Sequence, residues 1–352
     1  MDRKKLEALR AKYPPDRPDA SHHPEFKAAI ETIFAGTDRR PKPYEGVTSF
    51  LGAPLRLDAA KSENLGGLDV ALVGVPLDLG VTNRPGARFG PRAVRAVERI
   101  GPYHHVHRLL PLSAVKAGDI GDVPFRSRYS LDDSIEDIEA LFARIASAGV
   151  TPLAVGGDHS ITYPILKALG AHGAFGRPLG LVHIDAHCDT GAPFEGAKFH
   201  HGGPFRNAVL AGVLDPERTI QIGIRGGAEY LWEFSHVSGM TVLHAEEFAR
   251  LGTAKAVKKI HEVVGDGPTY ISFDIDSLDP AFAPGTGTPE IGGLTTREAL
   301  ELVRGCAGLS VIGGDVVEVA PQYDATTNTA QAAAQILFEL LAVVALARSR
   351  GP

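Results

Sequence analysis

The chain is poor in the residues that mark disulfide-bonded or nucleic-acid-binding proteins. Two cysteines among 352 residues are too few for a disulfide framework, and we expect both to be buried as small hydrophobic side chains. The 36 basic and 42 acidic residues are interspersed, and no Lys/Arg run suggests a phosphate-backbone footprint. These scarcities exclude a disulfide-rich scaffold and argue against nucleic acid as a partner.

Long hydrophobic runs are also scarce. The longest, residues 334–347, is interrupted by Gln335 and Glu339 and is too short to span a bilayer. Residues 1–10 lack the apolar core of a secretory signal. We therefore expect no membrane partner and a cytoplasmic location. The hydrophobic fraction of 44% in a chain of this length predicts a large core in one or two domains.

The chain does contain six metal-ligand side chains in three short blocks. The blocks are residues 156–160 (Gly-Gly-Asp-His-Ser), 183–189 (His-Ile-Asp-Ala-His-Cys-Asp) and 273–277 (Phe-Asp-Ile-Asp-Ser). Because side chains alternate along an extended chain, Asp185, His187 and Asp189 share one side, and Asp274 and Asp276 repeat the pattern. Four carboxylates and two imidazoles carry enough charge for two divalent cations. A structural zinc needs only four ligands and usually takes thiolates.

Aspartate and histidine at strand ends also serve as caps, turn formers or hydrogen-bond partners. Here, however, Asp185 and Asp274 directly follow apolar runs, residues 179–184 and 270–273. Carboxylates crowded at neighbouring strand ends would repel each other without a cation. This repulsion favours a metal centre over a structural role.

From residue 69 onward, apolar runs typical of strands alternate with helical segments. The predicted strands are 70–75, 151–155, 179–184, 219–224, 240–243, 269–275 and 309–319. Gly90 and Pro91 open a predicted helix carrying Val94 and Val97, and Ser130 caps a long helix. This spacing predicts an α/β fold with a mainly parallel sheet covered on both faces. Such sheets bind ligands beyond the carboxyl ends of the strands.

Residues 1–65 differ from the rest of the chain in being polar and rich in proline. One amphipathic helix is expected near residues 24–34. We predict an N-terminal arm over residues 1–65 and a catalytic domain over residues 66–352. The arm is either partly ordered, or an oligomer contact or lid that packs on a neighbouring subunit.

The three blocks, over about residues 65–350, resemble the ureohydrolase family of arginases, agmatinases and guanidinobutyrases. Residues 279–290 (Asp-Pro-Ala-Phe-Ala-Pro-Gly-Thr-Gly-Thr-Pro-Glu) and 315–321 (Asp-Val-Val-Glu-Val-Ala-Pro) extend the resemblance. Members of this family have a three-layer α/β/α sandwich, usually hold two manganese ions, and hydrolyse a guanidino group to urea and an amine. The resemblance implies the same fold and reaction class here, in an agmatinase-like branch.

The resemblance also implies how the six side chains divide between two ions. It assigns His159 and Asp189 to one ion and His187 and Asp276 to the other, with Asp185 and Asp274 bridging. Imidazole and carboxylate ligands by themselves suit Mn, Fe, Co or Ni. Manganese is therefore implied by the resemblance, and nickel remains the alternative.

The expected mechanism begins from the guanidinium carbon, a poor electrophile that needs a strong nucleophile. A hydroxide bridging the two metals would attack it. By resemblance, Asp189 passes the proton to the leaving amine, Glu318 binds the guanidinium in bidentate fashion, and His201 shuttles protons. The sequence departs from the family in having His200 beside His201, and Gly203 where agmatinase-like relatives usually have threonine.

The expected substrate is a small guanidino compound such as agmatine or guanidinobutyrate. Arginine is disfavoured, since Ala-Lys-Phe-His at 197–200 replaces the Ser-Gly-Asn run that precedes the shuttle histidine in arginases. Alternatives are a nickel-dependent hydrolase of guanidine or a simple substituted guanidine, and a non-catalytic partner subunit. A one-zinc amide hydrolase of the histone-deacetylase type is disfavoured by the six ligands and Glu318. We expect a homo-oligomer, a trimer or a hexamer.

Overall fold

The computed structural model describes residues 2–14, 23–24, 27, 30–31, 44–61, 65–97 and 100–350. Within these residues eight strands form one sheet. They are β1 (Val70–Val75), β2 (Ala117–Asp122), β3 (Thr151–Gly156), β4 (Leu179–Ile184), β5 (Leu214–Ile224), β6 (Thr241–His244), β7 (Pro268–Asp274) and β8 (Ser310–Val317). Their order is β2-β1-β3-β8-β7-β4-β5-β6, and every neighbouring pair is parallel. The predicted parallel sheet is confirmed.

Eleven α-helices have both ends within the described residues. They are α1 (Arg3–Lys12), α2 (Gly90–Arg95), α3 (Pro111–Ala114), α4 (Leu131–Ser147), α5 (Thr162–Leu169), α6 (Pro204–Leu210), α7 (Glu233–Ser238), α8 (Ala245–Leu251), α9 (Thr253–Val264), α10 (Thr296–Gly305) and α11 (Asn328–Ser349). Ser130 caps α4 as predicted, because its hydroxyl accepts from the backbone N–H of Asp133. Helix α2 is shorter than predicted, and Val97 lies beyond its end.

Alternating side chains of the strands supply two hydrophobic cores, one on each face of the sheet. In β1, Leu72 joins a core that contains α9, α10 and α11 residues, whereas Val73 joins a core with α4, α5 and α6 residues. All six residues of β1 are buried, as expected for a parallel strand covered on both faces. The result is the expected three-layer α/β/α sandwich.

Strand β2 is one that the sequence pattern does not predict. Its sequence, Ala-Gly-Asp-Ile-Gly-Asp, contains two glycines and two aspartates and no apolar run. It forms a strand because it lies at the sheet edge beside β1 and because buried Asp119 has polar partners. The Asp119 carboxylate accepts from the Arg95 guanidinium and from the backbone N–H of Phe50.

The part of the predicted arm that precedes the sheet is packed on the core from about residue 50. Phe50, Ala53 and Leu65 are buried there. Helix α1, which the sequence analysis did not predict, contains no buried residue. The helix expected near residues 24–34 lies outside the described residues except for Pro24, Lys27 and residues 30–31, which are helical. The boundary at residue 65 stays a prediction.

Candidate metal centre

The four central strands of the sheet are β3, β8, β7 and β4, and their carboxyl ends lie side by side. His159 follows β3 in a short 3-10 turn, which begins where Asp158 accepts from the backbone N–H of Ser160. Asp274 ends β7, and its side chain accepts from the backbone N–H of Asp276. Sequence blocks that are far apart therefore meet because parallel strands share one carboxyl edge.

One group of carboxylates surrounds the Nδ1 atom of His159. This nitrogen lies 3.2 Å from Asp185 Oδ2, 2.9 Å from Asp189 Oδ2 and 3.2 Å from Asp274 Oδ2. None of these oxygens lies in the direction of a hydrogen bond, and the buried Nδ1 atom has no hydrogen-bond partner among the residues that the structure describes. Ligand atoms that face one another without bonding are what a cation between them requires.

A second group lies beside the first and shares one residue with it. His187 Nδ1 lies 3.4 Å from Asp185 Oδ1 and 3.2 Å from Asp276 Oδ2. Asp185 thus faces the first group through Oδ2 and the second through Oδ1, the arrangement that a bridging carboxylate needs. Asp274 groups with His159, and its predicted bridging role stays a prediction.

The two groups bring several carboxylates together in a buried part of the structure, where their negative charges are poorly solvated and repel one another. Burial, followed by repulsion from Asp276 and Asp185, raises the pKa of Asp274 well above its ordinary value. Burial also raises the pKa of Asp276. At His159, burial lowers the pKa, but the surrounding carboxylates outweigh it and raise the pKa well above its ordinary value. Two divalent cations would remove this imbalance, so the residues fit a binuclear metal centre.

A buried hydrogen-bond chain behind His159 was missed by the sequence analysis. His159 Nε2 lies 2.8 Å from the Ser272 hydroxyl, which donates to Asp315 Oδ1 at 2.7 Å. Asp315 also accepts from Thr162 and Tyr270. Side chains two residues apart in a strand lie on the same face, so the alternation that predicts the position of Asp274 also predicts that Ser272 lies beside it. The sequence alone could therefore have indicated Ser272.

His201 and Glu318 lie together next to the first group. His201 Nδ1 lies 3.0 Å from Glu318 Oε1, which also accepts from the backbone N–H of His159 at 2.8 Å. The other His201 nitrogen, Nε2, lies 2.7 Å from the hydroxyl of Thr82, a contact that no pattern in the sequence predicts. Burial lowers the pKa of His201, but Glu318, Asp189 and Asp158 outweigh it and raise that pKa to about 9.

His200 faces away from His201 and towards the loop after β4. Its Nε2 atom lies 2.8 Å from the carbonyl oxygen of Ala192. A Cβ atom on Gly203 would lie 3.1 Å from this Nε2 atom and 3.0 Å from the carbonyl oxygen of Gly191. The two departures from the family pattern are therefore coupled, because the His200 ring occupies the space next to Gly203.

Comparisons with known proteins identify the family. The family profile described as "Arginase family" matches residues 68–343. Guanidinopropionase of Pseudomonas aeruginosa is 47% identical over 311 residues, 87% of this chain and 94% of that protein. The mitochondrial agmatinase of Gallus gallus is 47% identical over 307 residues, 85% of this chain and 86% of that protein. The solved proclavaminate amidino hydrolase of Streptomyces clavuligerus is 36% identical with a TM-score of 0.81, and the match covers 88% of this chain and all of that one.

The resemblance seen in the sequence blocks is therefore confirmed over most of the chain. The site residues from β3, β4, β7 and β8 all fall inside the matched range 68–343. The chain belongs to the arginase family, in its agmatinase-like branch.

Proposed function

We propose that the protein is a ureohydrolase, which cleaves a small guanidino compound to urea and an amine. Agmatine, guanidinobutyrate and compounds of similar size are the proposed substrates. The observation that carries this proposal is the convergence of the six predicted ligands, two histidines and four aspartates, on two adjoining groups that share Asp185. The relatives named for guanidinopropionate and agmatine support the substrate class.

The proposed cofactor is a pair of manganese ions, with nickel as the alternative. His159 and Asp189 would hold one ion, His187 and Asp276 the other, and Asp185 and Asp274 would be shared by both. Bound there, two divalent cations would supply the Lewis-acid activation that makes water nucleophilic at neutral pH. A guanidinium carbon needs such activation because three nitrogens share its positive charge.

The remaining roles fall to side chains next to the two groups. The Oε2 atom of Glu318 is buried and has no hydrogen-bond partner in the described part of the chain, so it is placed to accept from a guanidinium N–H. Its other oxygen already accepts from His159 and His201, so a guanidinium must share that oxygen to bind in bidentate fashion. Asp189 would pass a proton to the leaving amine. His201, between Glu318 and Thr82, would exchange protons with solvent.

We propose a cytoplasmic homo-oligomer, a trimer or hexamer, in which residues 1–65 form an arm that contacts a neighbouring subunit. The exposed helix α1 supports this role, since none of its residues is buried against the described part of the chain. Sedimentation of the full chain and of a chain lacking residues 1–14 would test the arm.

The experiment that tests the function is a panel of guanidino compounds. Protein loaded with manganese or nickel is given agmatine, 4-guanidinobutyrate, 3-guanidinopropionate, guanidine and arginine, and urea is measured. We expect the best compound to exceed arginine by at least ~100-fold in kcat/KM, about 2.7 kcal/mol of transition-state discrimination. Arginine as the best substrate would overturn the substrate proposal. No urea from any compound at full metal loading would favour a non-catalytic partner subunit.

The control for the panel is Asp274→Ala. If Asp274 bridges as proposed, this variant releases no urea and loses both ions in elemental analysis, whereas wild type approaches two ions per chain. A variant that keeps two tightly held ions would contradict the bridging role without affecting the substrate proposal.

A further inference from the structure

We propose that His183 is a positioning residue that holds Asp185 in its bridging orientation, in a tautomer set by Gln221. The inference rests on the proposed two-metal centre. His183 is fully buried in β4, two residues before Asp185 and on the same face of the strand. Its Nε2 atom lies 2.7 Å from Asp185 Oδ2.

The direction of this hydrogen bond follows from a chain of three contacts. In β5, Gln221 is the register partner of His183. One atom of the Gln221 amide lies 2.6 Å from the carbonyl oxygen of Cys188 and 3.0 Å from His183 Nδ1. A carbonyl oxygen only accepts, so this amide atom is the nitrogen, and its second proton points at His183 Nδ1.

His183 Nδ1 therefore accepts, and the proton of the neutral ring is on Nε2. The ring donates this proton to Asp185 Oδ2. The other carboxylate oxygen, Oδ1, accepts from the backbone N–H of His187 at 2.6 Å. Asp185 is thus held at both oxygens by donors from the protein, while each oxygen still faces one of the two ligand groups. The aromatic ring of Phe205, 4.3 Å away between centroids, fixes the plane of the His183 ring.

The same contacts argue against His183 as a third imidazole ligand, although it lies within reach of His159 and Asp185. A ligand nitrogen needs its lone pair, so Nε2 would lose its proton and Nδ1 would carry it. The Nδ1 proton would then face the Gln221 N–H, and two donors would oppose each other. The geometry points to a residue that orients the bridging ligand and does not touch the ion.

Two substitutions separate hydrogen bonding from packing. His183→Phe keeps a ring against Phe205 and loses the donor, whereas His183→Gln loses the ring and keeps an N–H donor of similar reach. Calorimetric titration of the metal-free proteins with manganese, without substrate, is the measurement. We expect His183→Phe to weaken at least one site by roughly 10- to 100-fold and His183→Gln to recover most of that loss. Equal affinities in all three proteins, or weaker binding by His183→Gln than by His183→Phe, would overturn the proposal.

Gln221→Leu tests the tautomer and keeps the His183 ring and all six proposed ligands. We expect weaker manganese binding than in wild type, because His183 Nε2 is no longer biased to carry the proton. Wild-type affinity would overturn the tautomer assignment, and circular dichroism of each variant checks that the fold is retained. A wild-type protein that binds neither manganese nor nickel would instead contradict the proposed metal centre, so the two failures are distinguishable.

Discussion

Two of the residues at the site, Asp189 and Glu318, adopt left-handed backbone conformations with φ of 51° and 63°. Such conformations cost non-glycine residues on the order of 1–3 kcal/mol each and persist where the surroundings impose them. Backbone hydrogen bonds do so here, since Glu318 N–H donates to the Gly157 carbonyl and Phe205 N–H donates to the Asp189 carbonyl. The strained pair supplies the two carboxylates that we propose bind the guanidinium and pass a proton to the leaving amine.

At the residue scale, the first prediction separates the paired histidines. His201→Ala should lower kcat by about 100-fold or more with metal content intact, because a shuttle moves protons without holding the ions. His200→Ala, its matched control, should do much less, since His200 faces the Ala192 carbonyl. Steady-state kinetics and elemental analysis measure both, and added imidazole should partly rescue the His201 variant. If His200→Ala lost most of its activity and His201→Ala kept it, His200 and not His201 would be the proton shuttle.

The second prediction concerns the charge of Glu318. Glu318→Gln keeps the shape and the acceptor for His159 but loses the negative charge that would face the guanidinium. Removing one partner of such a pair costs on the order of 2–5 kcal/mol, so kcat/KM should fall accordingly while two metal ions remain bound. Near-normal turnover with the best substrate would mean that another carboxylate holds the guanidinium.

At the scale of elements, the apolar helix α11 is held in the core by burial and by an ion pair. With 22 residues it is long and apolar enough to cross a membrane, and the apolar run at 334–347 is part of it. Most of it is buried among the other elements, with 72% of its apolar window inside the structure, as in the core helix of a globular protein. Glu339 in its middle is fully buried and accepts from Arg304 on α10 through both oxygens.

The third prediction follows from this buried carboxylate. Burial raises the pKa of Glu339, but His104 and Arg304 outweigh it and lower that pKa from 4.5 to about 2. Glu339→Gln leaves Arg304 without its charge partner and should lower the free energy of unfolding by about 3–5 kcal/mol at neutral pH. Chemical denaturation measures this, and Glu301→Gln, at an exposed position on α10, is the control.

The pH dependence of that difference has a fixed sign. A carboxylate whose pKa is lower in the folded state contributes its full stability above the unfolded-state pKa, and loses it as pH falls towards the folded-state pKa. The stability gap between wild type and Glu339→Gln should therefore shrink below about pH 4.5 and towards pH 2. A gap that stays constant down to the lowest pH at which the protein is folded would contradict the ion-pair account.

At the scale of the whole molecule, the proposed ions should stabilise the fold. Without them, Asp185, Asp189, Asp274 and Asp276 crowd one edge of the sheet. The fourth prediction is that chelation lowers the midpoint of thermal unfolding and that manganese restores it. Ions present at about 100 times their Kd add about 2.7 kcal/mol. Asp274→Ala should show a much smaller response, and an equal response in both proteins would place the stabilising metal elsewhere.

The sequence by itself determined the ligand blocks, the family and most strands. Apolar runs such as those of β1 and β4 are long enough to be recognised, and Asp185, His187 and Asp189 are close enough in sequence for alternation to place them together. Strand β2 was out of reach of this reasoning, because Asp119 becomes compatible with burial only through Arg95 and Phe50, which come from other parts of the chain.

Only the tertiary structure decided how the site is held together. The chain from the Cys188 carbonyl through Gln221 and His183 to Asp185 links β4 to β5, and the contact of His201 with Thr82 links two loops. A local pattern does not specify such partners, because hydrogen bonds across a sheet depend on strand order and register. The same holds for Glu318, whose position next to His159 follows from β8 lying between β3 and β7.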